Sequence, residues 1–123
     1  MSQLANYVAG QFGYLCDGNS NNTSKALAST EGWNTSTILC SPGNAPETNN
    51  TTNFSLRPAG YRQLGIAPIA FGSDAALWNA NSSGTLNQWP YRMQYNTLKF
   101  QGGGGQSVAK MKTYGYSVRC VRN

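Results

Sequence analysis

The sequence predicts an α+β fold, with two short helices near the N-terminus followed by a small, mostly antiparallel, loop-rich sheet. Three observations predict it. Apolar residues recur at helical spacing only near the N-terminus. Strand-like pieces occur only after residue 52, and Gly, Asn, Ser and Thr crowd the stretches between. A chain of 123 residues has room for one domain, residues 1–123. Only 11% of its residues are charged, yet it carries three Trp, seven Tyr and four Phe, a combination that separates it from disordered chains.

Ser2 can cap a first helix running to Ala9, with Leu4, Tyr7 and Val8 on one face and Gly10 at its end. The turn-like run Asp17-Gly18-Asn19-Ser20-Asn21-Asn22 leads to a second helix over about Thr23–Thr30, with Ala26 and Leu27 inward. From Trp33 to Thr52 the chain reads as one loop, and a loop of that length needs a tether or a function. Strand-like pieces follow at 53–57, 66–71, 75–79, 91–95 and 97–100. The last piece, Tyr116–Val121, alternates and places Tyr116, Val118 and Cys120 on one inward face. Gly102–Gly105 is a run of four glycines with nothing to pack.

The chemistry open to this chain is narrow. It has no histidine, which removes the commonest general base and metal ligand, and with it Ser-His-Asp and Cys-His catalysis. Asp17, Glu31, Glu47 and Asp74 show no local pairing for glycosidase-type acid/base work. No acid follows Asp74, so a calcium site in the later half has only neutral oxygens to draw on. The expectation is therefore no catalysis, no metal and no cofactor. The net charge is +5, but the cations after residue 90 are scattered and accompany no nucleic-acid-binding signature, so no nucleic-acid partner is expected. No apolar stretch approaches the roughly 20 residues that cross a bilayer, and direct membrane insertion is not expected either. The neutral-polar composition suits a secreted or surface-displayed domain.

Cys16 and Cys40 flank the second helix in Gly/Asn/Ser-rich loops and are expected to form a disulfide; two free thiols in a reducing compartment is the other state open to them. Closing that loop would stabilise by roughly 3 kcal/mol through chain entropy. Cys120 is expected to be free and buried.

The segments Lys25-Ala-Leu-Ala-Ser-Thr-Glu-Gly-Trp33-Asn34, Asn53-Phe-Ser-Leu-Arg-Pro-Ala-Gly-Tyr61-Arg62, Leu77-Trp78 and Tyr114-Gly-Tyr-Ser-Val-Arg-Cys-Val-Arg122 occur in this order. Together they resemble the Fibrobacter succinogenes major paralogous domain family. The resemblance spans about residues 4–123, and its most specific element is Gly-Tyr-Ser-Val-Arg-Cys-Val. It implies a C-type-lectin-like fold, distantly similar to formylglycine-generating enzymes. It also implies display on a cell surface, a pilus tip or a phage tail fibre. Some members are variable proteins of diversity-generating retroelements. The strand-bearing segment that the family carries before its first helix is not seen ahead of Ser2, which leaves two expectations, a trimmed domain or a variant that begins late. The chain departs from the family between Trp78 and Tyr114, where Asn79-Ala80-Asn81 replaces the usual continuation.

On this reading residues 1–78 and 115–123 form the scaffold and 79–114 a variable binding face. Asn79, Asn81, Asn87, Trp89, Tyr91, Met93, Tyr95 and Asn96 would contact the ligand, since aromatic and amide side chains give contact area and hydrogen bonds at low entropic cost. Arg92 is expected to be structural and Trp78 to belong to the core. The expected partner is a protein or glycan receptor on a cell surface, bound without catalysis. Two other roles follow from the same resemblance. One is a structural subunit of a pilus or fibre. The other is a degenerate formylglycine-generating-type enzyme, against which stands the lack of a paired thiol or base near Cys120.

Overall fold

Leu4 and Val8, one helical turn apart, give the first helix its buried side, and α1 runs Ser2–Ala9 as expected. Gly10 ends it, its N–H reaching the carbonyls of Asn6 and Tyr7 at 3.0 and 3.1 Å. The computed structural model describes residues 2–83, 85–102 and 110–120 and shows a small α+β architecture. The second helix, α2, covers only Ser24–Leu27, and all four of its residues are buried. Its expected continuation to Thr30 is lost to tertiary pairing. The Leu56 N–H donates to the Leu27 carbonyl at 2.8 Å, and the Ser29 N–H to the Leu56 carbonyl at 2.9 Å. Residues 53–57 form no strand beyond that Ala28–Leu56 bridge, because Asn53 and Ser55 have positive φ.

The 33–52 loop has several tethers. Cys16 and Cys40 are bonded. The Asn49 amide donates to the carbonyls of Ser29 and Pro42 at 2.8 and 3.0 Å. Buried Lys25 donates to the carbonyls of Asn44 and Ala45. Burial pulls the Lys25 ammonium below its ordinary pKa, with the Glu47 carboxylate opposing the shift. We expect reduction of Cys16–Cys40 to lower stability by roughly 3 kcal/mol in urea titration.

The sheet is antiparallel. β1 (Asp74–Ser83) pairs with β2 (Asn87–Gln94), whose other edge takes β3 (Gln101–Gly102) and β4 (Lys110–Met111). Ala75 and Leu77 of β1 and Met93 of β2 are buried on one face together with Val8, Leu27 and Phe100. The expected strand at 75–79 is thus the inner part of a longer one, and that at 91–95 is the inner part of β2 except for Tyr95, which lies in the turn beyond it. Residues 97–100 are not a strand; they carry Phe100, fully buried, into the core. The expected 66–71 strand reduces to an Ile69–Tyr61 bridge in a surface hairpin. A glycine is needed at 102, since a Cβ there would lie 2.5 Å from the Tyr91 ring.

The terminal segment corrects a sequence expectation. Tyr116 does pack, but Val118 is 72% exposed and Cys120, although free, is exposed rather than buried. Ser117 touches β1 through one parallel bridge, Leu77–Ser117, and no ladder continues from it among the described residues. The alternating side chains beyond it therefore have no sheet face to cover. Arg119 turns the other way, donating to the Phe54 carbonyl with its guanidinium 4.2 Å from the Phe54 ring centre.

Candidate functional site

β1 and β2 form a hairpin whose inner half carries Ala75, Ala76, Leu77 and Met93, all buried. From Asp74↔Gln94 to Trp78↔Pro90 the two strands advance together. The next pair is Ser82↔Gln88, so three residues of β1 oppose one of β2, Trp89. Asn79, Ala80 and Asn81 occupy this bulge. On the other edge of β2, Gln101 faces Arg92 and Lys110 faces Gln88, and the chain between Gly102 and Lys110 lies outside the described residues. The β1–β2 ladder thus breaks beside Trp89 and Pro90. Proline has no N–H to give a ladder, and a bulge re-aims side chains at such a point.

Residues opposite one another across β1 and β2 share a face, and this divides the expected binding residues. Trp89, Tyr91 and Met93 alternate along β2 on the core face. Met93 is fully buried against Ala75, so it is a core residue and is withdrawn from the binding set. Tyr91 is half-buried, its ring 5.2 Å from Phe100. Trp89 and Asn87, nearer the turn, are also half-buried. Asn79 lies in the bulge and its carbonyl accepts a bond from the Gln88 side-chain amide. Asn81 lies in the same bulge; its side chain is outside the described residues. Tyr95 and Asn96 belong to the other end of the hairpin. Eight residues of extended chain separate Asn87 from Tyr95, a distance of about 26 Å. The Tyr95 backbone is tied there, with its N–H donating to the Ser73 carbonyl and its carbonyl accepting from Gly43. The structure therefore brings Asn79, Asn87 and Trp89 together and leaves Tyr95 and Asn96 remote. Within 79–114, residues 84 and 103–109, with most of the glycine run, are outside the described residues.

Gln88, half-buried beside the register break and bonded to the Asn79 carbonyl, also belongs to this hairpin end and was not singled out by sequence reasoning. The Pro in an otherwise strand-like run was the available signal, because it marks where pairing fails.

The opposite face of the hairpin carries an ionic and aromatic cluster. Arg92 Nε and Nη2 both donate to Asp74 Oδ1 at 2.8 Å, and the Asp74 side chain is 5% exposed. Arg92 is structural, as expected. Its guanidinium also lies 5.9 Å from the Tyr61 ring centre. Tyr116 stacks on Tyr61 at 5.4 Å and meets Trp78 edge-on at 4.7 Å. Trp78 is thus packed, on the face away from the main core. Burial, joined by the neighbouring Tyr61 hydroxyl and only partly offset by Arg92, pushes the Tyr116 phenol up to about 12.

That shift gives alkaline stability a definite sign. Above pH 10 the unfolded chain ionises this phenol while the folded chain keeps it protonated. Stability from Tyr116 is therefore complete below pH 10 and is lost as pH rises towards 12. We expect ultraviolet titration to show one late tyrosine, absent in Tyr116→Phe, and the variant to lose less stability over that window.

Among the described residues no three of His, Cys, Asp and Glu group as they would around a metal ion, and no helix is long and apolar enough to cross a membrane. Comparison with protein-family models, with curated proteins and with solved structures finds no match to this chain.

Proposed function

We propose that this chain is a non-catalytic ligand- or receptor-binding display domain of C-type-lectin-like fold, carried on a cell surface, a pilus tip or a virion. The observation that carries the reading is the register break between β1 and β2 opposite Trp89, next to Pro90. It falls in the stretch where the family resemblance fades. A scaffold knit by a disulfide and a buried core holds a hairpin whose outer end is irregular and rich in amides and aromatics. Asn79, Asn87 and Trp89 form the centre of the binding face. The disulfide favours an oxidising location. In this reading the loop sequence around the hairpin is open to diversification, as in the retroelement variable proteins that the sequence resembles.

A face of this composition recognises its partner through area, stacking and neutral hydrogen bonds. Screening glycans and cell-surface proteins for a binder, then repeating the measurement with chelator and across a salt series, tests this. We expect affinity to survive EDTA, to change little between about 50 and 200 mM salt, and to fall in Trp89→Ala. Loss of binding in EDTA would reveal a metal site, and a loss on the order of 10³-fold with salt would indicate a phosphate backbone as partner.

The structural-subunit reading draws on one observation, the exposed Val118 and Cys120 two residues apart on the terminal segment. Sedimentation separates the two: a monomer at working concentration supports the receptor reading.

A further inference from the structure

A second surface site lies away from the hairpin end. Three segments, around Glu31, Arg57 and Phe71, line a groove of about 520 Å³. Its size is within the range of small-molecule sites. The walls are tied to one another through the backbone. The Gly72 N–H donates to the Pro58 carbonyl at 3.0 Å, and the Asn34 N–H to the Gly72 carbonyl at 2.9 Å. Gly32 and Gly72 both have positive φ and carry no side chain, so peptide groups form part of the lining. The groove is therefore preformed.

Its chemistry has two sides. Phe71 and Pro58 supply apolar walls, and Phe71 is 63% exposed, which leaves ring surface available to a ligand. At the rim, Arg57 Nη2 and Glu31 Oε1 lie 2.7 Å apart with side chains 72% and 68% exposed. A pair so exposed contributes little to stability. It does set a donor beside an acceptor, with no net charge between them. Neighbouring hydroxyls on one ring need that arrangement, one accepting from the guanidinium and the other donating to the carboxylate. The C–H face of the same ring fits against an aromatic wall.

We propose that this groove binds a neutral pyranose residue, stacked on Phe71 and hydrogen-bonded through adjacent hydroxyls to Arg57 and Glu31. The neutral ion pair disfavours an acidic sugar, whose carboxylate would face Glu31. The site is separate from the hairpin face and stands or falls independently of it.

Amide-resolved NMR titration of the full chain with methyl glucoside, methyl galactoside, methyl mannoside and glucuronic acid tests the proposal. We expect at least one neutral glycoside to shift the amides of Gly32, Arg57, Phe71 and Gly72, with a dissociation constant on the order of 1 mM. Phe71→Ala and Glu31→Ala should each weaken it by about tenfold or more. Both side chains are exposed, so the variants should keep the parent spectrum elsewhere. No shift with any neutral glycoside overturns the proposal. So does binding unchanged in Phe71→Ala, tighter binding of glucuronic acid, or shifts confined to Asn87 and Trp89.

Discussion

Replacing Asp74 with alanine should destabilise the protein by about 3 kcal/mol, among the largest losses from a single polar side chain in this fold. The carboxylate is 5% exposed and one of its oxygens accepts two bonds from Arg92, whose side chain is itself 24% exposed. Deleting the acid leaves a mostly buried guanidinium without its counter-ion, and the desolvation cost of that orphan exceeds the value of the bond itself. The double substitution Asp74→Ala with Arg92→Met removes the orphan and should recover at least about 1 kcal/mol. Urea titration of the three proteins checks this. A double variant no more stable than Asp74→Ala would mean that the loss comes from packing and not from the unpaired charge.

Leu77→Ala should cost roughly 2–5 kcal/mol, whereas Val118→Ala should stay within about 0.5 kcal/mol. Leu77 is 2% exposed between β2 and the helices, where truncation leaves a cavity; Val118 is 72% exposed and its truncation leaves none. Both residues look like core in the sequence, so this contrast measures the terminal segment directly. Comparable losses at the two positions in denaturant titration would show Val118 to be packed after all.

The two cases also show what sequence reasoning can and cannot reach. The first helix was legible because Leu4 and Val8 at i and i+4 need only local geometry to share a face. The Cys16–Cys40 bond was legible from flanking loops. The alternation of Tyr116, Val118 and Cys120 correctly separates two sides of an extended chain. It says nothing about how far that chain stays against the sheet, and the contact ends near Ser117. The binding face suffered from a similar limit. Asn87 and Tyr95 are close in number, but strand rise carries them to opposite ends of the hairpin, and Met93 between them points into the core. Proline in β2 was the one local clue to the register break between β1 and β2. The C-type-lectin-like architecture remains a proposal from resemblance; two helices and an antiparallel sheet are what the structure contributes to it.

The shortness of α2 bears on how this chain is made. Four residues are far too few to hold a helix alone. Its partners arrive late in sequence. Thr52 donates to the Ala26 carbonyl across 26 residues, and the Phe100 N–H donates to Thr23 Oγ1 across 77. The Ser24 N–H reaches the Leu98 carbonyl. On a ribosome, residues 23–28 can therefore be translated long before anything exists to hold them. The centre of the fold has to wait, solvated, until the chain around residue 100 has emerged from the exit tunnel. The sparse charge and abundant Asn, Ser and Thr of residues 29–53 keep that waiting chain polar rather than sticky, which serves synthesis even where it adds nothing to the finished core.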